Sequence, residues 1–243
     1  MLNAGSSGMP VYQRQQNQLF KMEQQPIPPP PPPSSPVSPA PYRSANIVDR
    51  AKNILITPKP EWEIIDREQT SVATVWASYV LPMLLIGAFA TFIGFGLIGY
   101  SGIKWGAGNG LIRGLIYVVF ISVVVFGMGA AIDVLAPSFA AERNWGKSYK
   151  LAAYSMTAAF LAGIFWLFPA LWILVLICSL YSLYALYTGI AVIKKTTADK
   201  QVAYFAVVVL ITVVLYILLQ LLFTEIYKAF QPNPMNQFRN FRF

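Results

Sequence analysis

The sequence has no histidine and a single cysteine, Cys178, set inside an apolar run. Those two absences exclude a disulfide framework, a Cys/His zinc site and any triad that needs an imidazole base. Charge is scarce as well. Asp, Glu, Lys and Arg make up 12% of the 243 residues, against about 25% in an ordinary soluble domain. Half the usual density cannot coat a water-facing surface of this size. There is no G-x-S-x-G, no Walker A, no H-E-x-x-H and no acid pair on a common face, so enzyme chemistry, catalytic residues and cofactors find nothing to stand on. What the chain has instead is apolar bulk: 56% hydrophobic residues and a mean hydropathy of +0.53, which place it in the bilayer class.

The net charge of +8 does not point to nucleic acid. The basic residues come in ones and twos between apolar runs, with no phosphate-tracking patch on one face. Excess Lys and Arg in short loops is what membrane topology requires.

Four compositional units follow one another. Residues 1–43 are Gln- and Pro-rich, with an unbroken proline run Pro28–Pro33. This stretch is expected to be a disordered tail with a polyproline II spacer, since it lacks the apolar surface to offset ordering. It also lacks the charged lead and apolar core of a signal peptide. Residues 44–66 predict a short amphipathic helix and turn. Ile47, Ala51, Ile54 and Leu55 fall at helical spacing, with Asp49, Arg50, Lys52 and Asn53 on the remaining face, Ser44 or Asn46 as cap and Thr57-Pro58 as stop. Too short to span, this segment suits either the bilayer surface or a docking place on the bundle. Residues 67–226 hold the apolar stretches, and 227–243 form a C-terminal tail.

A spanning helix needs about 20 residues, so the charge-free stretches predict five spans, near 75–99, 112–135, 150–168, 170–193 and 202–224. The third stretch, from Lys150 to Lys194, is long enough to cross twice, with a turn at Phe168-Pro169. The fold expected is therefore all-α: a five-span transmembrane bundle behind a Pro-rich tail and an interfacial helix. Arg43, Arg50, Lys52, Lys59, Arg67, Arg143, Lys147, Lys150, Lys194, Lys195 and Lys200 gather on one side. Lys104, Arg113, Lys228, Arg239 and Arg242 gather on the other. The richer side should be cytoplasmic, with the N-terminus inside and the C-terminus outside. Trp76, Trp105, Trp145, Trp166 and Trp172 fall near span ends, where an amphipathic ring prefers to sit.

Gly94 to Gly99 spell G-x-G-x-x-G, yet they lie inside an apolar span with no acid at the spacing a dinucleotide site needs. Close helix contact explains them better, as it does the small-residue pairs Gly127/Ala131 and Ala159/Gly163. The same Gly-rich faces would suit a homo-oligomer. Asp133 is the one charge near membrane depth; Arg143 or Lys147 on the following loop could pair with it, and an ion or proton path is the sharper alternative. Tyr181, Tyr184 and Tyr187 recur every three residues, with Tyr154 and Ser155 on the preceding span. Such phenols either pack between helices or line a polar cavity.

Five motifs in order resemble one family. Arg50-Ala51-Lys52-Asn53-Ile54-Leu55, a Thr57-Pro58 turn and Glu61-Trp62 are similar to the opening signature of bacterial Yip1-domain proteins. Tyr79-Val80-Leu81-Pro82 opens the first span. Asp133-x-Leu135-Ala136-Pro137-x-Phe139 closes the second, and Ala152-Ala153-Tyr154-Ser155-x-Thr157 begins the third. Tyr181-x-Leu183-Tyr184-x-Leu186-Tyr187-x-Gly189 marks the fourth. The likeness covers about residues 46–224. Ala158 stands where the family commonly has proline, so the residue that would enforce a kink is missing. The resemblance implies a five-span bundle with a cytoplasmic N-terminus, in the inner membrane of a bacterium. In eukaryotic relatives it implies vesicle trafficking and Rab-type GTPase binding.

The function expected is a non-enzymatic scaffold or membrane-organising protein, in contact with the lipid bilayer and with a cytoplasmic protein partner. The arm of residues 1–66 would present the partner site, with Arg50, Asn53, Trp62 and the Pro28–Pro33 run as contacts. The rival is a small transporter or channel using Asp133 and the Tyr-lined path.

Overall fold

The computed structural model describes residues 10–23, 46–99 and 106–229. They form helices and turns, with no strand among them. Two compact units divide the chain, residues 1–43 and 44–243. In the first unit a helix, α1 (Val11–Glu23), stands where composition predicts no ordered structure. Its Gln, Arg, Leu, Lys, Met and Glu are strong helix formers, and Pro10 accepts from Gln13 N–H at its start. The Pro28–Pro33 run lies outside the described residues.

The second unit opens with two short helices, α2 (Ile47–Ile56) and α3 (Pro58–Arg67). Asn46 caps α2 by accepting from Val48 N–H at 3.2 Å. Thr57 ends it, and Pro58 opens α3 at the position where proline's missing N–H costs nothing. Five helices long and apolar enough to cross a bilayer follow: α4 (Val72–Ile98), α5 (Ala107–Phe139), α6 (Trp145–Leu167), α7 (Pro169–Lys194) and α8 (Ala198–Ala229). Phe168 breaks the long third stretch, its backbone extended at φ −122°, ψ 95° ahead of Pro169.

Close backbone approach holds the bundle together. Gly96 faces Gly110, Gly114 faces Ala88, Gly94 faces the Trp166 carbonyl, and Gly163 sits against Gly87. The G-x-G-x-x-G letters are thus a helix-contact surface. Gly127 receives the Leu215 side chain of α8. Within α6 the helix breaks at Met156 even though Ala158 is not proline. Ser155 and Thr157 turn their hydroxyls onto the Ala152 and Tyr154 carbonyls, and Ser182 of α7 accepts from Ala159 N–H at 3.2 Å. Hydroxyls here do the work of the missing ring. Pro137 closes α5 in a tight turn from Ala136 to Phe139, followed by Ala140 in the left-handed region at φ 51°.

Candidate functional site

Polar side chains are concentrated at one end of the bundle, where α2 and α3 meet the loops after α5 and α7. Arg50 projects from α2 into this end and is only 3% exposed. The periodicity placed it on the polar outer face; the structure corrects this, because the carboxylates that neutralise it come from α3 and from Glu68 just after it. Its guanidinium donates to Glu61 Oε1 at 2.6 Å and pairs with Glu68. It also lies 5.4 Å from the centre of the Tyr154 ring. Asn53 donates to the other Glu61 oxygen at 3.0 Å, so both oxygens of that carboxylate are engaged. Burial opposes the Arg50 charge, yet Glu68, Tyr154 and Glu61 more than offset it and hold its pKa above the ordinary arginine value.

The arm is then tied to the spans. Lys150 of α6 donates to the carbonyls of Ile65 and Glu68, at 3.1 and 2.6 Å. Lys147 pairs with Asp66 at 2.7 Å. Trp62 is wholly buried and donates its indole N–H to Thr188 of α7 at 3.2 Å. Gly189 makes room for that ring: an added Cβ there would lie 2.8 Å from Trp62 Cε2 and against Leu151. Tyr181 of α7 donates to the Leu55 carbonyl at 2.6 Å. Tyr154 stacks edge-on against Tyr79, centroids 4.7 Å apart.

A second polar cluster adjoins the first. Asp133 accepts from Arg143 Nε and from Ser148 Oγ, each at 3.1 Å. Lys194, wholly buried, donates to the same Ser148 hydroxyl at 2.9 Å. The Lys194 carbonyl accepts from Glu142 N–H, which joins the two loops. Hydrogen bonds to charged groups are worth more than neutral ones, about 1.5–3 kcal/mol each. Each charge in both clusters has a hydrogen-bond or ion-pair partner, and the first cluster latches the arm to the spans. Among the described residues no group of three or more His, Cys, Asp or Glu could hold a metal ion.

Of the residues singled out from sequence, Arg50, Asn53, Trp62, Tyr154, Tyr181 and Gly189 are brought together in the latch. Arg50 and Trp62 face inward, so they set the arm's position and offer little surface to a partner. Tyr184 and Tyr187 lie on the outer side of α7, 47% and 36% exposed, the latter against Phe205. The phenols and Asp133 therefore do not share a path. Ser155 alone of these polar residues reaches the bundle's cavity. Glu68, Ser148, Thr188 and the inward turn of Lys150 and Lys194 were not singled out. The signal available was the local run of acids Glu61, Glu63, Asp66 and Glu68, with Arg67 the one base among them, which called for bases from elsewhere.

Five spans, a docked arm and a satisfied buried charge network define a polytopic α-helical membrane protein. The chain belongs to the Yip1 domain family, whose model matches residues 52–221. It is similar to the inner membrane protein YohC of Escherichia coli strain K12 and of E. coli O6:H1. Each is 27% identical over 190 residues, covering 71% of this chain and 95% of the relative. No solved structure matches it.

Proposed function

We propose that the protein is a non-enzymatic scaffold of the inner membrane whose α2–α3 arm presents a fixed surface to a cytoplasmic protein partner. The observation that carries this reading is the latch. One side of the arm is locked to α6 and α7 through Arg50, Trp62 and Lys150, and the other is left exposed with Asp49, Lys52, Ile56, Lys59, Glu63 and Arg67. A helix pair that only needed to lie on lipid would not require an internal ion triad to set its angle. The bias of Lys and Arg toward this end supports a cytoplasmic placement, and the name of the E. coli relatives supports the inner membrane. Arg50, Asn53 and Trp62 serve the partner site by holding its shape, and the contacts fall to the outward charges.

Photo-crosslinking in cells tests it, with the probe placed in turn at Lys52, Lys59 and Glu63 of the full chain. A discrete protein adduct is expected at these positions, and it should fade when the remaining arm charges are reversed. Adducts with lipid alone at all three positions would overturn the reading.

A further inference from the structure

All five spans contribute to the wall of a cavity of about 790 Å³. Pockets that enclose a small ligand measure about 300–1,000 Å³. Along α5 the wall runs from Arg113 to Met128, a rise of about 22 Å at helical pitch. One leaflet's hydrocarbon is about 15 Å deep, half of the bilayer core. The deep wall is mostly apolar, built from Phe120, Val124, Met128, Leu186, Val209 and Val213, and the hydroxyls of Ser155, Ser182 and Thr212 beside them are already bonded to backbone groups. The charged and the amide side chain of the lining lie toward the other end, where Arg113 and Gln220 stand with Thr224. The Arg113 guanidinium lies 4.6 Å from the centre of the Phe95 ring.

A second, independent feature marks the same end. The Thr91 hydroxyl lines the cavity, is buried, and has no hydrogen-bond partner. Threonines in helices ordinarily return this hydroxyl to a carbonyl one turn back, as Thr188 and Thr212 do here. Thr91 stands where α4 widens into the looser turns of Phe92–Ile98, a distortion common beside functional sites. The facing pairs Gly96 with Gly110 and Ala88 with Gly114 set Thr91 and Arg113 at one level of the α4–α5 pair. Arg113 lies six residues past the start of α5, and a phosphate beside a guanidinium makes strong, charge-assisted hydrogen bonds.

We propose that this cavity holds one acyl tail of an anionic membrane phospholipid, with its phosphate on Arg113 and its ester oxygens accepting from Thr91. The greasy end takes the tail and the cationic end takes the headgroup. The cavity lies between spans, so its occupant comes from the surrounding bilayer.

The full-length protein, reconstituted in phosphatidylcholine vesicles containing phosphatidylglycerol with a diazirine on one acyl chain, provides the test. Label is expected on the cavity-lining peptides of α5 and α8. Val213→Trp and Ala159→Phe each fill the space from a different helix and should cut that label about tenfold, equivalent to ~1.4 kcal/mol. Arg113→Gln should reduce phosphatidylglycerol labelling to the level of a matched phosphatidylcholine probe. Equal labelling of the two lipids by the wild type would overturn the proposal. So would label confined to outward residues such as Leu210 and Leu218 and unchanged in the filled variants. Loss of label to excess inorganic phosphate would assign Arg113 to a soluble anion and overturn the lipid assignment as well.

Discussion

Arg50 shows how far a single residue's role depends on neighbours distant in sequence. Helical spacing put it on a polar face, and by that criterion it belonged in water. Its carboxylate partners sit 11 and 18 residues on, and its ring partner is on α6, so the pattern within one helix carried no trace of its burial. Trp62 was equally opaque, because its hydrogen-bond partner is 126 residues away. Asp133 was more legible: Arg143 follows within ten residues, inside the reach of a short loop. Arg50→Leu should destabilise the detergent-solubilised protein by about 3–5 kcal/mol, since Glu61 and Glu68 are left buried and uncompensated. Removing all three charges together, as R50L/E61L/E68L, should recover much of that loss. Thermal unfolding of both variants checks the prediction, which reverses if the single change proves the milder.

At the scale of the element, the breaks were read unevenly. Proline punctuation was plain at Phe168-Pro169 and at Thr57-Pro58, because the missing N–H and fixed φ act locally. The break at Met156 left no such mark, being made by serine and threonine hydroxyls and an acceptor from the next helix. Glycines were legible as contact residues, but which neighbour each one meets was not. Two of them give predictions of opposite sign. Gly94→Ala drives a methyl into the Trp166 carbonyl and should cost about 1–3 kcal/mol by overpacking. Gly108 lies in α5 with nothing within 4 Å of an added Cβ, so Gly108→Ala should stabilise by about 0.5–1 kcal/mol through reduced backbone entropy. Melting curves of the two variants in the same detergent decide the matter.

For the whole molecule, hydropathy and length alone located the five crossings, because hydrocarbon leaves helices as the available solution for such runs. An odd number of crossings sends the ends to opposite sides. Reporters fused at the N-terminus and after Phe243 should therefore signal from different compartments, the N-terminal one from the cytoplasm. Signals from the same compartment would remove one of the crossings. The docking of the arm was the part hydropathy could not supply, since an amphipathic helix reads alike whether its greasy side meets lipid or protein. The choice between those surfaces was made by Lys150 and Thr188, far along the chain.

That distance has a consequence for biosynthesis. The arm leaves the ribosome early, but the lysine that takes its last carbonyls and the threonine that takes its indole are made 85 and 126 residues after their partners. Until α6 and α7 have been inserted, the Trp62 ring, the Asp66 carboxylate and the carbonyls of Ile65 and Glu68 stay on view at the membrane surface. A chain stalled before its fourth crossing would keep those groups uncovered, and completion of that crossing is what covers the indole.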